Sequence, residues 1–551
     1  MNVPDFPSLW NLPANPVFRR HAAALRPWRF IPWLVVTQIV AGFFWLAGIL
    51  LYLRVREPSF AEADFNSAAF HGMLEKHGTN AFCLGWGAVL ALQGFLVIFK
   101  GTFSVATGVA RESNEGMMEA QRLTPVPSGH KIVGQLLGLP LLENLIALLL
   151  IPWAAASAWL GGLSPLMMVK VYLIFATSTL FHHAVGLVAG TLIRQKILAG
   201  TLSQMMVLLL HFVLPILGGF GIGLISHLGM EAAVTSEIGL ATPALLKEGG
   251  VFFHGGYPPP VDFFDWKISV SGYHWIINVT MIAAFAAMLA RRWNDQDSQI
   301  LGKAGTTLFA AWLLTLTCGE FLPALSGGGL MEMLTHGERS LSFFVSRMGN
   351  GTIGVWWLAG FSAALGLVNL VFTLSLVPSR KARSRCRHLH HAPWWHDGRN
   401  SVPWVAAISL LTAIAWILVA GTLLRETPEM RKFTLDAAGK LWIAAALAVP
   451  ALALHALVLW RGWKIAMAAM FAVWIVPLMI AVIGVLMAVD LDGWPKWIGG
   501  ISGLVMPAYA SFAEAAALPD ADFRGVFHVS LALHAAAAVV FFLKTHRGKS
   551  A

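Results

Sequence analysis

The stretch Ala110-Arg-Glu-Ser-Asn-Glu-Gly-Met-Met-Glu-Ala-Gln-Arg-Leu-Thr-Pro125 is a dense run of charge between two long apolar segments, Cys83–Val109 and Ile132–Trp153. Each flank is long enough to cross a bilayer as a helix of about 20 residues, so the charged run is the turn of a membrane hairpin. At about 100° per helical residue, Arg111, Glu112, Glu115, Glu119 and Arg122 fall within an arc of about 100°. Val109, Ala120 and Leu123 lie beyond one edge of that arc and Met118 beyond the other. A two-sided helix in an intracellular turn is a surface offered to a partner.

Working outward, the composition agrees. The chain has 551 residues, 57% hydrophobic and only 12% charged, with a mean hydropathy of +0.68. Soluble domains carry about 25% charge, so lipid is the natural solvent here. Each span must satisfy its own backbone in lipid, and alternating strands are absent, so the spans are helices. The fold class is an all-α polytopic integral membrane protein. The net charge is +10, but its Lys and Arg sit mainly in loops and termini beside apolar runs. There they orient the chain and meet anionic lipid, and no nucleic-acid partner is implied. Cys83, Cys318 and Cys386 lie at different levels of the expected topology, so no disulfide framework follows. Met1–Asn15 is Pro-rich without an apolar core, so no cleavable signal is expected. Phe18, Ala22 and Leu25 share a helical face flanked by Arg19 and Arg26, so residues 1–30 form a cytoplasmic interfacial helix feeding the first span.

Spans are expected near Ile31–Leu53, Cys83–Val109, Ile132–Trp153, Val171–Leu192, Leu198–Leu224 and Gly272–Ala290. A second set follows near Leu308–Leu322, Val355–Leu376, Trp404–Leu424, Leu441–Trp460, Ile465–Val489 and Val526–Leu543, about twelve in all. Trp497–Leu518 is apolar but broken by Gly and Pro, and suits a re-entrant or surface helix. Arg194/Lys196, Arg291/Arg292, Arg461/Lys464 and the cluster Arg380, Lys381, Arg383, Arg385 and Arg387 fall on one side, which places both termini in the cytoplasm. The C-terminal tail joins them provided Trp497–Leu518 does not cross. Two loops are long, Gly229–Ser271 outside and the basic, His-rich Pro378–Pro403 inside. The chain divides into residues 31–300 and 301–551, with about six spans each and no sequence repeat between them.

With the charged turn placed between spans two and three, the first half resembles the permease subunit of ABC-2-type ABC transporters. That family shows an Arg-Glu, Glu-Gly, Glu, Leu-Thr-Pro series at this point, and this chain has Arg111-Glu112, Glu115-Gly116, Glu119 and Leu123-Thr124-Pro125. Ser128-Gly-His-Lys131-Ile-Val-Gly134 is similar to the family's start of span three. Leu160-Gly-Gly-Leu-Ser-Pro165 is similar to its outer turn before span four, and Gly186-Leu-Val-Ala189 to the end of that span. Met117-Met118 and Gln135 depart from the usual Thr-Leu and Lys. The resemblance covers roughly residues 15–300, is good to about residue 200 and implies small extracellular helices after span five.

The resemblance implies an ATP-driven transporter, an exporter, in the inner (plasma) membrane. A Gly-rich phosphate loop with Lys is absent, so ATP hydrolysis is expected on a separate ABC ATPase subunit and the chain itself is not an enzyme. Arg111, Glu112, Glu115, Gly116 and Glu119 would form the coupling helix that lies in a groove on that ATPase. The bland alternative is a solvated turn whose Arg111–Glu115 pair is worth a few tenths of a kcal/mol, on the order of 0.3. Residues 301–551 have no counterpart of the turn, which favours pairing with a second permease chain in a homo- or hetero-dimer. Leu325-Ser-Gly-Gly-Gly329 looks like an ABC signature fragment but sits at a span end.

Glu143 and Glu320 are costly at membrane depth and are candidates for substrate contact or gating. They also leave open a secondary transporter driven by an ion gradient, although they do not occupy corresponding places in the two halves. His182-His183, His211, His455, His528 and His534 lie in or near spans and raise a haem- or copper-binding oxidoreductase. The adjacent pair points to different helix faces, so no cofactor is expected. His388, His390, His391 and His396 with Cys386 form an Arg-rich, loop-like run without zinc spacing, so no metal is expected there.

Overall fold

The computed structural model describes residues 11–25, 27–56, 68–213, 224, 226–241, 260–295, 298–337, 350–387, 393–426, 436–480, 494–513 and 523–547. Nearly all of them are helical, and eleven helices are long and apolar enough to cross a membrane. Within the expected span Leu198–Leu224, Lys196–Phe212 is an apolar helix, and residues 214–223 lie outside the described residues. Long helices here expose what a soluble protein would hide. Ile31, Ile39 and Phe43 on the first span are 56%, 69% and 69% exposed, a surface suited to hydrocarbon.

The chain forms two compact units. Unit 1 contains Met1–Leu214, His227–Pro260 and Ser269–Asn294; unit 2 contains Pro215–Ser226, Val261–Ile268 and Asp295–Ala551.

Unit 1 opens with α1 (Pro16–Ala24) and α2 (Pro27–Arg56). A continuous helical run follows: α3 (Ala68–Gly94), a π-helical segment (Phe95–Lys100) and α4 (Gly101–Asn114). The charged turn supplies α5 (Met117–Leu123) and leads to α6 (Ser128–Gly138). Span three is broken into α7 (Leu141–Leu149) and α8 (Ile151–Leu160). Pro140 precedes α7, and Pro152 at the start of α8 cannot donate to the preceding turn. The carbonyls of the break are not abandoned: Gln38 Nε2 donates to Leu149 O at 3.0 Å and Gln93 Nε2 to Ala147 O at 2.9 Å. Without water, side-chain amides repair the backbone.

Next come α9 (Pro165–Leu192), α10 (Lys196–Leu208), α11 (Glu231–Ala241) and α12 (Val270–Asn294). Helix α9 meets α4 through Gly186 and Gly190. A Cβ at Gly190 would stand 2.5 Å from Ala106 O and 2.8 Å from Val109 Cβ, so only glycine permits this approach.

Unit 2 contains α13 (Gly302–Gly337), α14 (Asn350–Ser375), α15 (Arg380–Arg387), α16 (Val402–Glu426) and α17 (Ala437–Arg461). They are followed by α18 (Trp463–Met470), α19 (Trp494–Ile501), α20 (Met506–Ala513) and α21 (Phe523–Arg547). Its core gathers Trp357, Phe361, Trp416 and Phe527, and Trp416 Nε1 donates to Ser362 Oγ at 2.8 Å. The described part of the broken segment, up to Ala513, holds the end of α19 and then α20, joined by a buried bend. Ser326–Gly329 lies within α13 rather than in a loop.

The segment Gly229–Ser271 was expected to hold small helices. Alongside α11 it contains an antiparallel hairpin, β1 (Val261–Phe263) with β2 (Trp266–Ile268). Phe264 takes φ 51° in its tight turn and donates its N–H to Gly319 O at 2.8 Å. Such a hairpin is short enough to escape a reading tuned to long apolar runs.

Candidate functional site

Helix α4 ends at Asn114 because the chain enters a left-handed residue: Gly116 has φ 72°, a conformation glycine adopts without steric cost. The charged stretch is therefore two helices, not one. The expected single arc of charge is split. Glu112 is buried at 2% exposure, whereas the side chains of Arg111, Glu115 and Glu119 are 58%, 52% and 53% exposed. Gly116 sits between the two helices, with Glu119 on the second of them.

Glu112 is the centre of a polar hub. One carboxylate oxygen pairs with Arg20 of α1 and lies 3.5 Å from His21 Nε2. The other accepts from Gln121 Nε2 of α5 at 3.1 Å and from Gln135 Nε2 of α6 at 2.8 Å. Around it, Lys131 donates to the carbonyls of Gln121 and Thr124 and closes the C-terminal end of α5. Burial, and secondarily Arg122, lowers the pKa of Lys131. Below the polar layer Met118 packs with Val105, Val109, Ile132, Leu136 and Trp293. A buried carboxylate is tolerable only with this many donors.

The interfacial helix α1 is locked onto α6. Asn15 Oδ1 caps α1 at Val17 N and Phe18 N, and its Nδ2 donates to His130 O at 2.8 Å. Gly134 lies beneath it; a Cβ there would stand 2.7 Å from Val17 Cβ. Asn114 Nδ2 donates to Arg194 O at 2.8 Å, and Arg122 Nη2 to Arg292 O at 3.4 Å. Those bonds bring the basic positions Arg194 and Arg292 to the same end of unit 1 as the charged turn.

His21 makes this lock sensitive to acid. Burial first, then the neighbouring Arg20 and Arg111, pulls its pKa down to about 4 from 6.5. The docked helix therefore binds fewer protons than the undocked one, and docking is complete above about pH 6.5 and weakens as pH falls toward about 4. Amide protection of residues 16–24, corrected for intrinsic exchange rates, should fall over that window. A His21→Gln variant should flatten the curve; an equal fall in the variant would show that His21 is not the sensing group.

Glu143 is buried at 4% exposure. It accepts from Ser104 Oγ at 2.8 Å and lies 3.8 Å from Lys100 Nζ. Lys100 closes the π-helical segment and also sits 5.2 Å from the Trp33 ring centroid. This partner was missed in the sequence, although a lysine inside Cys83–Val109 was the visible signal. Glu320 is half-buried in α13 and belongs to unit 2.

Unit 2 has a polar hub of opposite sign. Lys303, 1% exposed, donates to the carbonyls of His396, Arg399 and Asn400 at 2.8, 2.9 and 3.2 Å. Asp397 Oδ2 accepts from Gln299 N at 2.9 Å. The basic segment after Pro378, expected to be loop-like, carries α15 and a turn anchored by this lysine.

The intramembrane histidines are mostly occupied by backbone. His182 Nδ1 donates to Ser178 O at 2.7 Å and His183 Nε2 to Val97 O at 2.9 Å, on different faces of α9. His211 stacks near His182, with ring centroids 5.0 Å apart. In unit 2, His528 Nδ1 donates to Arg524 O, and His534 Nε2 accepts from Trp474 Nε1 at 2.9 Å. His455 is fully buried in α17. Among the described residues no group of three or more His, Cys, Asp or Glu could hold a metal ion; His388, His390 and His391 lie outside them. No family model, curated protein or solved structure matches the chain.

Proposed function

We propose that this chain is the membrane-spanning permease subunit of an ATP-driven ABC exporter of the ABC-2 type. It works in the inner membrane with both termini cytoplasmic, alongside a separate ATPase and a second permease chain. The observation that carries this reading is the construction of the charged turn. A buried hub holds α5 rigidly against α4 and α6, while Arg111, Glu115, Glu119 and Leu123, the last 89% exposed, stand outside. An exposed leucine one turn from Glu119, on a short helix braced from behind, suits a groove with basic edges.

ATP-driven closure of the ATPase pair would push α5. Met118 and the Glu112 hub connect α5 to α4 and α6, so the push passes into spans two and three. Charge reversal at the exposed pair, Glu115→Lys with Glu119→Lys, should cut transport and stimulation of the co-purified ATPase about tenfold, equivalent to about 1.4 kcal/mol of docking. The melting temperature should not move, because both side chains are solvated. Unchanged stimulation would sink the coupling role.

The buried Glu143 carboxylate beside Lys100 favours one second reading, a transporter driven by an ion gradient. In that case transport would persist without any ATPase and collapse on dissipating the gradient.

A further inference from the structure

A cavity of about 280 Å³ lies within unit 1 at the end carrying the charged turn. Helix α1 forms one wall, α4 a second, and the Gly138–Leu142 segment and the start of α10 complete it. Arg111 and Lys196 supply its charge, and no carboxylate lines it. Its hydroxyls are already committed: Ser104 donates to Glu143, and Thr107 to Phe103 O. Leu25, Leu139 and Leu142 give it an apolar wall.

The cations are available. Lys196 is exposed and makes no hydrogen bond or ion pair among the described residues. Arg111 meets Glu115 at 3.8 Å through Nε, a loose and solvent-exposed pair. The nearby Glu112 is spent on Arg20, Gln121 and Gln135. Beside Lys196, Ile197 is 71% exposed and Leu198 44%, so the charged mouth adjoins a surface suited to acyl chains. Two cations, Lys196 and the loosely paired Arg111, over a leucine wall, at a helix end and under an amphipathic helix, match an amphiphile with an anionic head.

We propose that this cavity binds an anionic glycerophospholipid from the bilayer, its phosphate between Arg111 and Lys196 and the start of its chains against Leu25, Leu139 and Leu142. The site goes beyond the transport reading and does not depend on an ATPase. It would make the docking of α1 responsive to the charge of the surrounding leaflet.

The full chain in neutral detergent provides the test, by native mass spectrometry and thermal melting. Phosphatidylglycerol should be retained as an adduct and raise the melting temperature by several degrees, whereas phosphatidylcholine should not. The gain should shrink as salt rises. Arg111→Gln with Lys196→Glu should weaken phosphatidylglycerol binding at least tenfold. Ala24→Trp, which fills the mouth without changing charge, should weaken it similarly, so failure of one variant to fold leaves the other informative. Equal binding of the two lipids, or undiminished binding in a folded variant, overturns the proposal. So does the same gain from inorganic phosphate alone, which would make the cavity a site for soluble anions.

Discussion

Replacing Lys303 with methionine is expected to cost unit 2 on the order of 3 kcal/mol, because a charged donor is removed while the carbonyls it serves stay in place, and a hydrogen bond to a charged group is worth about 1.5–3 kcal/mol. The three carbonyls of His396, Arg399 and Asn400 would lose their shared donor. Methionine keeps the apolar stem, so the loss reports the ammonium rather than a cavity. The anchored turn should loosen first, since the backbone of residues 396–400 has no comparable charged donor. Limited proteolysis should cut between Trp394 and Ser401 in the variant at temperatures where the parent resists. Matching cleavage and melting in the two proteins would show that Lys303 is dispensable.

The second large effect belongs to Glu112→Leu. It strands the Gln121 and Gln135 amides and leaves Arg20 facing an apolar side chain. A cost on the order of 3–5 kcal/mol follows from removing the buried partner of a charged contact. Glu112→Gln retains acceptor capacity and should cost less. The damage should be visible as deprotection of residues 16–24 in amide exchange together with a lower melting temperature. That signature separates the hub from the docking face, where Glu115 and Glu119 reversal should leave both measurements unchanged. Equal exchange in wild type and Glu112→Leu would mean α1 is held by Asn15 and Gly134 alone.

The spans were legible because hydropathy is additive along a helix: Val171–Leu192 was expected and Pro165–Leu192 is observed. Breaks were legible where Gly and Pro interrupt an apolar run, as they do after Trp497. What stayed hidden was long-range pairing. Nothing local says that Glu112 turns inward to an arginine 92 positions earlier, while Glu115, one helical turn later, stays in solvent. The single arc also assumed an unbroken helix, and Gly116 turns Glu119 and Arg122 onto a second one. Lys303 was overlooked because a lysine beside a span start looks like a topology marker. Only the returning turn at His396–Asn400 converts it into a buried clamp.

The second span is also a matter of mechanics. Its helical run His71–Asn114 counts 44 residues, roughly 65 Å at the usual rise of 1.5 Å per residue. A bilayer including its headgroups is about 40–45 Å thick, so such a rod standing upright would reach roughly 20 Å beyond it. Tilting such a rod about its midpoint by about 10° sweeps its tip through roughly 6 Å. The hub around Glu112 clamps that tip, so α1, α5 and α6 would ride on the end of a lever whose fulcrum lies inside the membrane.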